Sequence, residues 1–524
     1  MLKRNSKLSN FSEFNHKEST SKNQVSRRRF IGGITTATLA MTIVPRHVLG
    51  GKGFVPPSDK ITLAYIGCGT QGLRELLPLL SIPELQIVAV CDPQKEATGY
   101  LDWSKTGLRD EIRKTLQNPQ WTSGGDNTVP GGLNNGKEIV DSYYSKFRSE
   151  GKPKGCAAYT DFRELFAKEK DLNAVKVMTP DHLHGIIAMA AIKRGIGVTT
   201  HKPISNRLLE GKQVIDMARQ SKTTTHLIAW DSNGSMEQVM KWINEGAIGK
   251  LKEVHNWSNR PVWPQYPILP TDTPPVPSGM NWDLWLGSEA DRAYHPNYTN
   301  MVFRGWYDFG GGSMADMGHY SLWTVFKALE LESPTIVEPN LSHFCGIKDS
   351  AAFKVKNDFS FPMASSVRFK YPAKGNRPAV DLIWYDGGMR PPVPEELYED
   401  NRELQAEGMM FVGDKGKILA GFHVNNPQLI PERKMQGQLV PELPKKDKTS
   451  GFIQFMEAVK NGSQCPGNFT EAWSLTEAVN LYAVALRTER ILKYDAASQK
   501  ITNIPEANNY LAREYRKGWE PGSM

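Results

Sequence analysis

The sequence predicts an α/β domain on a doubly wound parallel sheet, followed by an α+β domain on a large, mostly antiparallel open sheet. Three observations carry this. A short apolar run rich in β-formers, 61–66, leads straight into Gly67-Cys68-Gly69-Thr70-Gln71-Gly72 and then a helical apolar period over 71–80. Strand and helix patterns then alternate as far as 229. After Trp230 one helical pattern (235–245) gives way to strands, long loops rich in Pro and Trp, and alternating residues from 351 to 385.

The first element is the most informative. In a GxGxxG loop between strand and helix, the first glycine permits the tight turn and the second lets the backbone approach a pyrophosphate. The third allows close helix packing, and the helix N-terminus faces the phosphates. Gly67, Gly69, Thr70, Gln71 and Gly72 are therefore expected to hold a dinucleotide. A second apolar strand, 86–91, ends in Asp92, 25 residues after Gly67. An acid there accepts hydrogen bonds from the adenosine ribose hydroxyls and disfavours a 2′-phosphate, so NAD is expected, with Lys95 leaving NADP open.

Residues 103–156 break the rhythm, with Gly, Asn and Pro clustered between 118 and 136, and read as an insertion. Alternation resumes with helices at 161–168, 182–194 and 208–220, and strands at 174–178, 197–200 and 225–229. The predicted organisation is a leader over 1–50, a dinucleotide-binding domain over 59–230 and a substrate and oligomerisation domain over 231–524. Two helices, 451–460 and 470–486, are expected to close the fold.

The formal charge of +8 resides almost wholly in the leader: residues 1–50 hold nine Lys and Arg against Glu13 and Glu18, and the rest of the chain carries about +1. No basic face remains for nucleic acid, which needs clustered Lys and Arg. Five scattered cysteines form no CxxC pair, so neither a disulfide framework nor a metal site is expected. The leader ends in Ser26-Arg27-Arg28-Arg29-Phe30-Ile31 and an uncharged stretch, 32–44. This resembles a twin-arginine export signal, which implies passage through the twin-arginine translocase and an extracytoplasmic place of work.

Two strand ends are distinctive: Thr179-Pro180-Asp181-His182-Leu183-His184 and His201-Lys202-Pro203. With Gly246-Ala247-Ile248-Gly249-Lys250, Trp306-Tyr307-Asp308-Phe309-Gly310-Gly311-Gly312 and Pro505-Glu506-Ala507-Asn508, they resemble the Gfo/Idh/MocA family (glucose-fructose oxidoreductase, inositol dehydrogenase, MocA) from about 60 to 519. The resemblance implies an NAD(P)-dependent oxidoreductase acting on a sugar or polyol hydroxyl, and homo-oligomers that pair through the C-terminal sheet. It sets Lys202 at the nicotinamide, where an ammonium stabilises a developing alkoxide, with Thr179, Pro180, His184 and His201 around the cofactor. His201 departs from the family's usual glutamate.

In the second half Ser313-Met314-Ala315-Asp316-Met317-Gly318-His319-Tyr320 opens a helix predicted to run to 329. Asp316, His319 and Tyr320 fall at i, i+3 and i+4 and are expected on one substrate-facing face, with His319 or Tyr320 as proton carrier. A tyrosine in that role needs a cation such as Lys202 to lower its pKa. Ser313-x-x-Asp316 also reads as a capping box. Dense tryptophans from 257 to 323 are expected mainly as core, with a few against a sugar ring. Two other readings stay open: a redox-neutral glycoside hydrolase or lyase that uses NAD transiently, and a non-catalytic cofactor-binding protein.

Overall fold

The computed structural model describes residues 56, 59–123, 125, 128–148, 155–229, 234–438, 440–441, 447 and 449–523. The leader expected over 1–50 lies outside them, as does Trp230. The first sheet holds β1 (Ile61–Ile66), β2 (Leu85–Cys91), β3 (Ala157–Tyr159), β4 (Ala174–Val177), β5 (Gly197–Thr200) and β6 (Thr225–Leu227). Their order is β3-β2-β1-β4-β5-β6, every pairing parallel. Both faces are covered, which is why β4 and β5 are buried at every residue.

The order in which successive strands are added reverses between β1 and β4, so the turns after these two parallel strands open into one crevice at the carboxyl edge. The turns touch: a Cβ on Gly67, whose φ is +102°, would lie 2.5 Å from the Met178 carbonyl carbon. Segment 103–156, expected as an insertion, is the β2–β3 crossover itself, lengthened to carry helices Gly107–Leu116 and Leu133–Phe147. The second of these packs on β2 and β3, the role a parallel pairing requires of its connection.

The second sheet is built from β7 (Leu251–Trp257), β8 (Ile336–Leu341), β11 (Ser365–Tyr371), β12 (Val380–Asp386), β13 (Gly408–Gly413), β14 (Lys417–Ala420), β15 (Gln428–Ile430), β16 (Leu492–Asp495) and β17 (Lys500–Ile501). It runs β15-β14-β13-β7-β12-β11-β8-β16-β17 and is antiparallel except where β7 meets β12. A separate hairpin, β9 (Cys345–Lys348) with β10 (Ala351–Lys354), stands out from it. Strict alternation shows in β11, where Val367, Phe369 and Tyr371 are buried while Ser366, Arg368 and Lys370 face outward.

Helix Phe469–Thr488 is buried on nearly all sides because it lies between the domains. It packs on helix Leu208–Ser221 of the first domain and on β8 and helix His319–Ala328 of the second. The expectation that two helices close the fold needs correction: β16 and β17 follow, extending the sheet beyond β8. Their four- and two-residue length and exposed alternate positions leave too short a pattern to read locally.

Candidate active site

The crevice at the switch point continues as one cavity from the glycine loop to the second domain. At one end are Gly67, Gly69, Thr70, Gln71, Gly72 and Asp92; at the other are Thr179, Pro180, His201, Lys202, Asp316 and Tyr320. The loop fits a dinucleotide by sterics. A Cβ on Gly72 would lie 2.2 Å from the Gly67 carbonyl oxygen, whereas Gly69 is crowded only by the Tyr100 ring at 3.3 Å. Only glycine lets this backbone pack so closely and still face the cavity. Asp92 accepts from the backbone N–H groups of Cys68 (2.7 Å) and Gln94 (2.8 Å), which orient its carboxylate at the cavity wall. Burial raises its pKa to about 6 against the pull of those two bonds.

Across from the loop, Lys202 is 1% exposed and its Nζ donates to Asp316 Oδ1 at 2.7 Å. Burial pulls Lys202 down to about 8, with Asp316 opposing. Burial alone would raise the Asp316 carboxyl, but Lys202 and Arg304 outweigh it and hold it at about 2. Lys202 Nζ lies over the Tyr320 ring, 5.1 Å from its centroid. The Tyr320 hydroxyl instead meets His201 Nε2 at 3.0 Å.

Two expectations are therefore corrected. Lys202 sits at the ring face and does not lower the phenol's pKa, which burial and the carboxylates of Glu75 and Asp316 hold well above the ordinary value. His319 does not share a face with Asp316 and Tyr320. The chain makes a π turn over Met314–Gly318 before helix His319–Ala328 begins. A π turn rotates less per residue than an α turn, so four residues bring Tyr320 back beside Asp316 while three leave His319 turned away. His319 is fully buried, with Nε2 3.4 Å from Thr476 Oγ1, and burial takes it down to about 3.

The capping-box reading of Ser313 and Asp316 also yields, since Ser313 makes no cap. Its hydroxyl donates to Asp386, a buried carboxylate that also accepts from Tyr482 Oη (2.7 Å), Trp384 Nε1 (2.9 Å) and the Ser365 amide (2.7 Å). The π turn is thereby tied to the sheet beneath it. His184 stands behind the cavity wall, its Nδ1 2.7 Å from the Pro203 carbonyl and its Nε2 2.8 Å from that of Thr179. Its ring joins the two strand-end turns and contacts no open space, because it falls on the inward side of a helix buried along its whole length. His201 lines the cavity and is neutral: burial first, then Lys202 and Arg304, disfavour its imidazolium.

The roles of other side chains in the site are not legible locally. Arg304 Nε lies 3.5 Å from Asp316 and its Nη1 3.4 Å from Asp181, whose second oxygen accepts from the Gly311 amide at 3.0 Å. Arg260 Nε lies 3.7 Å from Asp316 Oδ2. Trp285 and, from the crossover, Trp103 complete the wall. These residues are scattered over some 200 positions and are assembled only by the fold; the clues were the Thr179–His184 segment, which contains Asp181, and the Trp-rich stretch, which contains Arg260, Trp285 and Arg304. Among the described residues no His, Cys, Asp and Glu cluster could hold a metal.

Two family models agree with this architecture. A family model described as oxidoreductase family, NAD-binding Rossmann fold, matches residues 135–228, and its companion, the C-terminal alpha/beta domain of the same family, matches 235–341 and 396–521. The glycine loop precedes the first match. Levoglucosan dehydrogenase of Pseudarthrobacter phenanthrenivorans is 30% identical over 112 residues, 20% of this chain and 28% of that enzyme's length. The WlbA dehydrogenase of Bordetella pertussis, solved with NADH and UDP-GlcNAcA, is 12% identical with a TM-score of 0.48, covering 83% of this chain and 99% of that one. The aldose-aldose oxidoreductase of Caulobacter crescentus, solved with glycerol, is 14% identical with a TM-score of 0.46 over the same shares.

Proposed function

We propose that this chain, which belongs to the Gfo/Idh/MocA oxidoreductase family, transfers hydride between NAD and a hydroxyl-bearing carbon of a sugar, glycoside or polyol. The observation that carries the reading is the buried Lys202–Asp316 pair at the far end of the cavity that begins at the glycine loop. The Gly67–Gly72 loop and Asp92 would hold the dinucleotide, which supplies a hydride acceptor when bound. Likeness to a levoglucosan dehydrogenase supports a carbohydrate substrate here.

Lys202, with a pKa near 8, exchanges a proton close to neutrality. As an amine it takes the proton of the substrate hydroxyl; as an ammonium it returns it in the reverse direction. Asp316 holds Lys202 in place and favours its charged form. Tyr320 stays a phenol and, bonded to neutral His201, orients the substrate oxygen without ionising. Trp285 and the neighbouring aromatic residues exclude water from the reacting end.

Purified protein given NAD and a panel of sugars and polyols should form NADH in step with oxidised product. Release of aglycone from aryl glycosides with no net NADH would instead point to the redox-neutral hydrolase. Bound dinucleotide with no turnover of any kind would point to a non-catalytic protein.

The resemblance of residues 26–44 to a twin-arginine signal motivates a second proposal, that the protein works outside the cytoplasm with a captive cofactor. Free dinucleotide is scarce there, and a weakly held cofactor would be lost by dilution. The Asp92 side of the cavity is roofed by contacts between the two halves: Lys95 N–H donates to the Gly279 carbonyl (2.8 Å) and Asn281 N–H to that of Pro93 (2.9 Å). Protein purified without added nucleotide should carry about one equivalent, with Kd below ~1 μM, more than about 8 kcal/mol. Absorbance and mass analysis check this, and protein that arrives empty and binds only at high micromolar concentration overturns it.

A further inference from the structure

The charges at the reacting end do not balance. With Lys202 in its ammonium form, three cations, Lys202, Arg260 and Arg304, face two carboxylates, Asp316 and Asp181. Burial disfavours the charged forms of His201 and His319, and His184, whose two ring nitrogens both face carbonyl oxygens, can only add to the positive side. Other charges nearby are paired, Arg74 with Asp102 (2.9 Å) and Lys176 with Glu75 (3.2 Å). Positive charge is left over, in a site largely withdrawn from water, where an uncompensated charge is costly unless a ligand brings its counterpart.

The surplus resides on Arg260. Asp316 Oδ1 is already engaged by Lys202 at 2.7 Å, and Arg304 has Asp181 as well, so Arg260 is left with Asp316 Oδ2 at 3.7 Å, beyond hydrogen-bonding range. Its Nη1 donates to the Asn259 side chain at 2.6 Å, a neutral partner, and its Nε is buried with no hydrogen bond. The guanidinium lies 5.3 Å from the centre of the Trp103 ring, at the cavity wall.

We propose that the substrate is a sugar acid whose carboxylate is received by Arg260. This rests on the reading that the site oxidises a sugar hydroxyl. A carboxylate brings the negative partner that Arg260 lacks and matches the planar fork of a guanidinium, with less charge to bury than a phosphate monoester. Asp316 has Lys202 on one oxygen and Arg260 near the other, so the acid group and the reacting hydroxyl fall on one monosaccharide. Trp103 offers its ring an apolar face.

The test compares glucuronate, galacturonate and gluconate with glucose, galactose, sorbitol and glucose 6-phosphate, by NADH formation and by calorimetric binding to the protein–NADH complex. At least one acid should exceed its neutral parent in kcat/KM by ~100-fold or more, as expected when a charged partner is otherwise left unpaired. That ratio should fall to within about tenfold of unity in Arg260→Gln and remain intermediate in Arg260→Lys. Equal use of neutral sugars, preference for the phosphate, or an unchanged ratio in Arg260→Gln overturns the proposal while leaving the dehydrogenase reading intact. Acid-selective binding that Arg260→Gln abolishes, with no hydride transfer, upholds the anion site and overturns the dehydrogenase reading. Absence of both binding and turnover overturns both.

Discussion

Replacing Lys202 by alanine should lower kcat by about 10² or more while leaving dinucleotide affinity within a few-fold of wild type. The asymmetry follows from position. Lys202 faces the reacting end and is paired with Asp316, whereas the glycine loop and Asp92 occupy the other end of the cavity. A side chain that exchanges a proton with the substrate hydroxyl acts on the transition state and contributes little to ground-state cofactor binding. The pH profile separates this role from simple packing. With Lys202 near 8, kcat for oxidation should climb as pH rises through about 8, because the neutral amine is the proton acceptor, and kcat for reduction should fall over the same interval. Asp316 favours the ammonium, so Asp316→Asn should move both midpoints to lower pH. A Lys202→Ala enzyme with wild-type turnover, or a profile without this limb, removes Lys202 from the chemistry.

The second large effect is expected at Gly72. An alanine there sets a Cβ 2.2 Å from the Gly67 carbonyl oxygen, a backbone atom held by its own packing against Met178 and Thr179. The clash cannot be relieved by a rotamer change, so helix Thr70–Leu76 must move away from the loop. Dinucleotide affinity should fall by about 10² or more, since a displacement of ~1 Å removes the close backbone approach on which binding depends. Gly69→Ala is the comparison: its Cβ meets only the Tyr100 ring, at 3.3 Å, and fills the space that the cofactor itself needs. Titration of each variant with NADH, alongside thermal unfolding, distinguishes a lost binding site from a lost fold. Gly72→Ala binding as wild type shows that the loop does not hold the dinucleotide.

Some parts of the site were legible in the linear order of residues and others were not, and the division follows the range of the forces involved. The Gly67–Gly72 turn and Asp92 at the end of β2 depend on φ angles and periods that a few neighbouring residues dictate, so they can be read locally. His319 illustrates the opposite. Its offset of three from Asp316 puts the two on one face of an α-helix, but the π turn over Met314–Gly318 moves it off. Nothing within those five residues specifies that turn; Ser313 is bonded to Asp386 and Tyr482, 73 and 169 residues away. His184 likewise matched a family-like segment, yet its ring faces two carbonyl oxygens behind the wall because the whole helix it begins is buried.

By itself, then, the order of residues determined the doubly wound sheet, its switch-point crevice and the dinucleotide end of the cavity, since strand and helix periods and glycine geometry act over a few residues. Only the tertiary structure decided the electrostatics of the reacting end. Arg260 and Arg304 meet Asp316 from separate segments, and Arg304 links it to Asp181; burial holds Lys202 near 8, raises the Tyr320 phenol further and disfavours the His201 imidazolium. Desolvation and Coulomb interactions depend on what surrounds a charge in space, and that surrounding exists only once the chain has folded.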